Sequence, residues 1–468
     1  MLPQKHLPLY SPEQIRAAEA PLVAQLGEKL MRRAAFAVSI RAARMLKSIC
    51  GQVSGSRVLV LAGTGNNGGD ALYAAAELEK RGVVIEVWQL GERIHPALGA
   101  IKHPRLVCGI SNPDLIIDGI LGIGSRGALR GVAAEAAERA RAHPVLAVDI
   151  PSGIDPMTGE SLGASISARC TVTFGGLKPA HILGWEHCGQ VVLEPLGIDQ
   201  YLPRPWGYSA GMEAWPMPGP SDHKYTLGVV GIHAGSEQYP GAAVLCTTAA
   251  ARASSSMVRY VGPCTSHVLQ AQPEVVAGAT LAGKVDAWVT GPGTGTSDPM
   301  LAEILRDNVP VVIDADALTQ IAGNPQLQKL LQQRDSLTVL TPHDGEFQRL
   351  CGRSPKGRVS DAQAMAREFN AVVVLKGRVT VIASSDEVYL VEAGSSWAAT
   401  PGSGDVLAGI IAKGVAFEAS IRMVASAVRL HCLAAASLGG PAPAGDIAAA
   451  LTRVLTTIDN HGIADHHH

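Results

Sequence analysis

Near the C-terminus, Gly402-Ser403-Gly404-Asp405 runs straight into the apolar stretch VLAGIIAKGVA. Glycines at that place let backbone N–H groups close on an anion. A helix starting there adds its partial positive charge. Asp405 falls at the helix start, where a carboxylate can accept a proton. The pattern fits an enzyme of phosphate chemistry with Asp405 as its acid/base. The plainer reading is a Gly-rich turn capped by Asp, and a bare GxGD does not separate the two. Further segments weigh against the plain turn. VVIDADALT (311–319) and LTPHDGEFQRL (340–350) carry Asp, His and Glu, KGRVTVI (376–382) carries a lysine, and AGSEQYPGAA (234–243) is a flexible loop entering a helix.

A second cluster lies in the first half. LAGTGNNGGDALYAAAEL (61–78) pairs Gly-rich spacing with two consecutive asparagines. Asn offers both amide donors and a carbonyl acceptor, so such a loop can hold a nucleotide and a hard cation together. Oxygen ligands suit that cation, and Asp118 and Ser152 lie at later strand ends. The plainer reading is a dinucleotide phosphate loop or a tight turn. IIDGILGIGSRGAL (116–129), AVDIPSGIDPMTGE (147–160) and TVTFGGLKPAH (171–181), with Lys178, complete the set.

These residues need strands that end near one another. In the first half, 57–63, 83–90, 115–121, 144–150 and 171–176 read as strands, with helices expected over 70–80 and 133–142. Two more helices are expected before the first strand, from Ser11 and from about Glu28. In the second half, TLGVVGIHAG, DAWVTGPG, VVIDADAL, LTVLTPHDGE and AVVVLKG each end an apolar strand in Gly, Asp, His or Lys. Alternation of strand and helix indicates α/β domains with mostly parallel sheets, whose ligands bind at the carboxyl ends of the strands. Between the halves, 201–222 is dense in Pro, Gly and Trp, keeps neither periodicity, and reads as an interdomain linker.

Composition agrees with this class. The 468 residues exceed one ordinary core and predict two or three domains. A net charge of -2 without a Lys/Arg block argues against nucleic-acid or anionic-membrane partners. Eight scattered cysteines form no CxxC pair, so reduced thiols in a cytoplasmic protein are expected. The N-terminus lacks the order of a signal peptide, no run is apolar enough to span a bilayer, and the terminal His run is set aside.

Asp222-His223-Lys224 with GIHAGSEQYPGAA, VTGPGTGT, IDADALT, LTPHDGEFQRL, LKGRVTVI and TPGSGDVLAG, in that order, resembles the ADP-dependent NAD(P)H-hydrate dehydratase family over Ser221 to about Asp459. The resemblance implies a ribokinase-like α/β domain, here 218–465, that uses ADP to remove water from C6 of hydrated NADH or NADPH, giving AMP and phosphate. It implies hydrate binding at Ala242, Gly295, His343 and Asp405. It implies adenine-nucleotide binding at Lys376, Gly377, Arg378, Val379, Thr380 and Gly404, with Mg²⁺ assisting. Family members often carry an Asn before the GSGD; here the stretch reads EAGSSWAAT, with Trp397.

The first half, from about Ser11 to Asp199, resembles the NAD(P)H-hydrate epimerase family through NNGGD followed by VDIPSGID. That implies a Rossmann-like three-layer domain, 1–211, interconverting the R and S hydrates. Implied hydrate contacts are Asn66, Asn67, Gly68, Gly69, Asp70, Gly122, Ile123, Gly124, Ser125, Arg126, Gly127, Ala128 and Asp149. K⁺ is implied at Asn67, Asp118 and Ser152, and proton transfer at Asp149 and Lys178. The implied whole is a bifunctional nicotinamide-nucleotide repair enzyme, expected as a homo-oligomer. The competing reading is a ribokinase-like small-molecule kinase fused to a non-catalytic nucleotide-binding module.

Overall fold

The computed structural model describes residues 5–91, 93–124, 127–213, 215–278, 280–281 and 283–465. It divides into two compact units, one of Pro8–Gly207 and one from Tyr208 onward together with the segment through Leu7. No helix among the described residues is long and apolar enough to cross a membrane.

The N-terminal unit opens with α1 (Pro12–Leu26) and α2 (Glu28–Cys50). A capping box fixes the start of α1. Ser11 Oγ accepts from Gln14 N, Gln14 Oε1 accepts from Ser11 N, and Pro12 fills the first position. The sheet strands are β1 (Arg57–Ala62), β2 (Val84–Gln89), β3 (Arg105–Leu106), β4 (Leu115–Gly119), β5 (Val145–Val148), β6 (Cys170–Phe174) and β7 (Gln190–Glu194). Their order is β3-β2-β1-β4-β5-β6-β7, parallel throughout. Central strands such as RVLVLA are buried along nearly their whole length, as a sheet covered on both faces requires. α2 and α3 (Asn66–Glu79) pack on one face and α4 (Gly131–Ala140) on the other, the three-layer Rossmann-like arrangement.

α3 begins at Asn66, four residues before the expected start at Asp70. Gly68 and Gly69 weigh against a helix by propensity. The first turn instead lies so close to the preceding loop that a Cβ at 68 would stand 2.2 Å from the Gly63 carbonyl oxygen. Close packing demands the glycine that propensity disfavours.

The C-terminal unit is built on β8 (Gly207–Ser209), β9 (Val230–His233), β10 (Val258–Val261), β11 (Val276–Gly278), β12 (Ala287–Thr290), β13 (Val311–Ile313), β14 (Thr338–Leu340), β15 (Val372–Leu375), β16 (Val379–Ala383) and β17 (Val388–Glu392). Inward from β8, the order is β8-β17-β16-β15-β14-β13-β12-β9-β10-β11. All pairs from β15 to β11 are parallel, and β16 runs against both β15 and β17. The polar ends of β9, β12, β13, β14 and β15 therefore meet along one edge. α5 (Pro240–Arg252), α7 (Ser403–Phe417) and α8 (Ile421–Ala436) cover one face and share its core; α6 (Asp344–Cys351) follows β14. Both units are α/β with mostly parallel sheets.

The two units divide inside 201–222, between Gly207 and Tyr208, but the chain after that point is packed rather than a free tether. Tyr208 and Ser209 pair in register with Tyr389 and Leu390. Ala210, Met212 and Trp215 enter the core of the C-terminal unit, and Trp215 Nε1 donates to the Ala253 carbonyl at 3.1 Å. Its Pro and Gly hide a strand of three residues, too short for periodicity to register.

Candidate active sites at two strand-end crevices

In the N-terminal unit the chain leaves β1 for β2 on one side and returns through β4 on the other. The gap between β1 and β4 is the topological switch point where such sheets bind ligands. The loop after β1 and the first turn of α3 line one wall, and 119–124 lines the other. Asn67 Nδ2 donates to the Leu121 carbonyl at 2.9 Å. A Cβ on Gly122 would lie 3.0 Å from Asn67 Oδ1 and 3.4 Å from Asp149 Oδ2. Asn67 and Asp149 thus face each other across a glycine.

Asp149 has φ +68, an uncommon conformation for a residue with a side chain, and it is buried. Its Oδ1 accepts from Lys178 Nζ at 2.7 Å and Thr173 Oγ1 at 3.0 Å; its Oδ2 accepts from Ile123 N at 3.2 Å. Burial pushes its carboxyl up, but the Lys178 ammonium and the hydroxyl more than offset this and hold it below the usual carboxylate value. His181 Nδ1 accepts from Lys178 N, so its Nε2–H donates to the Asp149 carbonyl at 2.9 Å. Burial, then Lys178, pushes His181 down to about 4, so it is neutral. The outcome is an ionised carboxylate beside a buried ammonium, fit to move a proton. Asp70, one turn into α3, contrasts with it. Burial first, then Asp149 and Glu19, push its carboxyl well above the usual range, and its Oδ1 is buried with no hydrogen-bond partner among the described residues. Two carboxyls in one crevice, one held below and the other pushed above the usual range, are the arrangement acid/base chemistry needs.

Asp118 is fully buried, and among the described residues its hydrogen bonds come from uncharged groups: Ile120 N, Ser152 N and Ser152 Oγ at 3.2, 2.9 and 2.7 Å. Burial pushes it up to about 6 against those hydrogen bonds. A buried carboxylate with no charged partner among its hydrogen bonds, beside Ser152 Oγ, which shares the Leu121 carbonyl with Asn67 Nδ2, is a setting that a monovalent cation would neutralise.

The remaining expected contacts fall as follows. Asn66 is exposed, Gly124 meets open space, and Gly127 takes φ +84. Ala128 packs against Gly163, where a Cβ would come within 2.8 Å. Ser125 and Arg126 lie outside the described residues.

In the C-terminal unit a cavity of about 720 Å³ is walled by the carboxyl ends of β13, β14 and β15 and by the start of α7. Gly402 caps α7 with φ +83, and a Cβ there would come within 2.5 Å of Leu245 Cδ1. A Cβ on Gly404 would lie 3.4 Å from Lys376 Nζ and 3.5 Å from Asp314 Oδ2. At Gly404 the helix start therefore presents bare backbone to the Lys376–Asp314 pair. Lys376 Nζ donates to Asp314 Oδ1 at 2.7 Å and lies 3.6 Å from Glu346 Oε2. Burial pulls Lys376 down, but the two carboxylates hold it above the ordinary lysine value, so it is cationic. Thr341 Oγ1 also donates to Asp314 Oδ1, at 2.7 Å. Asp405 is pushed up to about 7, first by burial and then by Asp314, with Lys376 acting against. A carboxyl poised near neutrality beside a helix N-terminus and a fixed cation can take a proton while an anion is transferred.

Of the expected residues, His343, Lys376, Gly377, Arg378, Thr380, Gly404 and Asp405 line this cavity. Val379 does not; it is buried in β16, where alternate side chains point to opposite faces. Ala242 and Gly295 sit at the other switch point, between β9 and β12. Ala242 Cβ lies 2.8 Å from where a Cβ on Gly293 would stand, and Gly295 N donates to Asp316 Oδ2 at 2.9 Å. Asp316 in turn acts electrostatically on Asp405. His343 caps α6, its Nδ1 accepting from Gly345 N at 2.9 Å. Sequence reading missed Asp314, Glu346, Glu19 and His431, which lines the cavity with its Nε2 3.0 Å from Ser403 Oγ at the start of α7. Asp314 and Glu346 were within the quoted strand-end motifs and could have been named. Glu19 and His431 sit inside helices with no local signal.

A family model described as NAD(P)H-hydrate dehydratase matches residues 230–456, and one described as YjeF-related protein N-terminus matches 27–100 and 90–180. The chain is 50% identical over 419 residues to the bifunctional NAD(P)H-hydrate repair enzyme Nnr of Mycobacterium tuberculosis, covering 86% of this chain and 88% of the relative. It is 37% identical over 497 residues to the protein of the same name in Corynebacterium glutamicum, covering 86% of each. Among solved structures, an ADP/ATP-dependent NAD(P)H-hydrate dehydratase of Bacillus subtilis, co-crystallised with ATP/Mg²⁺, aligns with 26% identity and a TM-score of 0.47, over 52% of this chain and 96% of that one.

Proposed function

Because the chain belongs to the bifunctional NAD(P)H-hydrate repair enzymes, we propose that it restores NADH and NADPH from their hydrates by two reactions, one on each unit. The N-terminal crevice, within 1–211, interconverts the R and S hydrates. The C-terminal cavity, within 218–465, dehydrates the S form with ADP. The observation that carries this is Asp405, poised near neutrality at a bare helix start beside the Lys376–Asp314 pair.

Hydroxide is a poor leaving group. Asp405 takes the proton of the C6 hydroxyl as its oxygen attacks the terminal phosphorus of ADP, and AMP departs. The helix start and Lys376 hold the transferring phosphoryl group. The ring nitrogen then expels phosphate from C6, and loss of a C5 proton restores the dihydropyridine. Gly377, Arg378 and Thr380 lie along the wall where the rest of the nucleotide would run. Mg²⁺, when bound, would neutralise phosphate charge. No group of three or more His, Cys, Asp or Glu among the described residues is arranged to hold a metal. The donor set thus fits an ion carried mainly by phosphate oxygens and water, with one or two of Asp314, Asp316 and Glu346.

In the epimerase crevice Asp149 and Lys178 move the proton of the C6 hydroxyl, so that the C6–N bond opens and recloses or water leaves C6 and returns, either of which inverts the centre; Asn67, Gly122 and Asp70 face the substrate. K⁺, when bound, would sit against Asn67, Asp118 and Ser152 and supply the charge Asp118 lacks. Cytoplasmic residence and homo-oligomerisation belong to the same proposal.

The test is recovery of reduced-nicotinamide absorbance from mixed R and S hydrate, with ADP and ATP compared. Full conversion with ADP is expected. Conversion of only the S fraction would remove the epimerase, and phosphorylated hydrate as the final product would make the unit a kinase.

A further inference from the structure

The stretch that departs from the family's usual Asn forms a rigid turn on the cavity rim. Ser396–Ala398 make one 3₁₀ turn, with Trp397 at its apex. Ser395 Oγ accepts from Trp397 N at 3.2 Å, and Ala399 N, Thr400 N and Ser403 N bond back to Ser396, Ala398 and Thr400 carbonyls at 3.2, 3.0 and 3.1 Å. From the side, Arg378 Nη1 donates to Ser396 Oγ at 2.8 Å, while its Nη2 donates to Glu392 Oε1 at 2.5 Å. Glu392 Oε1 also accepts from Gly394 N at 2.9 Å. The turn is thereby clamped to Arg378, a residue of the proposed nucleotide tract. Its other end runs through Thr400 into the Gly402–Asp405 helix start.

Ser395, Ser396, Ala398, Ala399 and Thr400 all line the cavity. Trp397, between them in the chain, is 54% exposed and lies outside the lining itself, whereas the unit's other two indoles, Trp215 and Trp288, are buried. A single exposed apolar side chain is ordinary on a surface. The backbone that carries this one is held on a hydrogen-bonded turn, so a flat ligand that covers it has only the side chain left to order. A bicyclic π face suits a purine. One continuous segment would meet a base at Trp397 and phosphate at Gly402–Asp405. The reactive ring of the hydrate is no longer aromatic and offers a poorer stacking partner.

We propose that Trp397 is the stacking platform for the purine base of the adenine nucleotide, fixed in place by the Arg378 clamp. This rests on the assignment of the cavity to ADP.

The full-length protein is titrated with ADP, AMP, inorganic phosphate and NADP⁺. Trp397 fluorescence is isolated as the difference between wild type and Trp397→Phe, and ADP binding is measured separately by calorimetry. ADP and AMP should change the Trp397 signal and shield it from a soluble quencher, and phosphate should not. Base stacking on an aromatic ring predicts that Trp397→Ala raises the ADP Kd and KM by roughly 5- to 100-fold, with kcat within about threefold and Trp397→Phe near wild type. If calorimetry shows ADP bound but Trp397→Ala binds it unchanged, the platform falls and the assignment of the cavity stands. If only NADP⁺ alters the signal, the indole serves the other nucleotide and the proposal is overturned. If ADP neither binds nor supports turnover in the wild type, both fall.

Discussion

Replacing Asp405 by Asn separates what its carboxyl does for chemistry from what it costs the fold. The carboxyl is pushed from 3.8 to about 7, mainly by burial and by Asp314. The folded chain therefore keeps this proton up to about pH 7, while the unfolded chain releases it near pH 4. Within that window the folded state binds more protons, so stability falls as pH rises and levels off above about 7. Three pH units at about 1.36 kcal/mol each give an upper figure of about 4 kcal/mol. Solvent access and relaxation of the neighbours reduce it to roughly 1–2 kcal/mol. Asn carries no charge and escapes the cost. At pH 8 the C-terminal unit of Asp405→Asn should melt roughly 2–8 °C above wild type, and near pH 4 the two should coincide. ADP-dependent dehydration should fall by about 10²–10⁴-fold, the usual worth of a positioned base. The wild-type rate should rise with pH through a midpoint near 7, where Asp405 ionises. Thermal melts at pH 4, 6 and 8, run beside the absorbance assay, measure both arms. Near-wild-type turnover, or a variant less stable than wild type at pH 8, would falsify the assigned role.

Other perturbations probe different residues. Asp149→Ala should abolish interconversion of R and S hydrates while dehydration of pure S hydrate continues. It also strands the Lys178 ammonium, at a cost of about 3–5 kcal/mol, which a second change, Lys178→Met, should partly restore without restoring epimerisation; an active single variant would end the assignment. KCl should raise the melting point of the N-terminal unit above that in LiCl, by up to about 2.7 kcal/mol of stability at a hundred times Kd, and Asp118→Asn should erase the difference. Equal melting in the two salts would count against the cation. Gly291→Ala should prevent the C-terminal unit from folding. Its φ is +114, and a Cβ would stand 1.9 Å from the Asp314 carbonyl oxygen. A soluble variant with unchanged melting would contradict the packing described.

Much of the fold was legible because the central strands are buried runs of Val, Ile and Leu that end in polar residues. RVLVLA and VVVL are strands in the structure as in the sequence. What failed were the places where a neighbour overruled a local preference. Gly68 belongs in a helix only because the Gly63 carbonyl presses on it. Trp215 is core only because Ala253, 38 positions later, accepts its N–H. At the sites, Asp405, Asp149 and Lys178 could be named because they end conspicuous motifs. Asp314 lies two positions from Asp316 in IDADALT, and nothing local marks it as the one that holds Lys376. Glu19 acts on Asp70 and Asp149 from α1, a pairing that no local pattern encodes.

The short strand Gly207–Ser209 has a consequence for synthesis. Tyr208 reaches its partner Tyr389 only after 181 further residues have been added. At about 5–20 residues per second, the ribosome needs roughly ten to forty seconds to supply it. Through that interval Tyr208, Met212 and Trp215 wait on the nascent chain with no completed core to enter. The seam between the two halves is therefore where a slowed ribosome or a scarce chaperone would do the most damage. A scheme to produce the halves as separate proteins should cut before Tyr208 and leave these side chains with the unit that buries them.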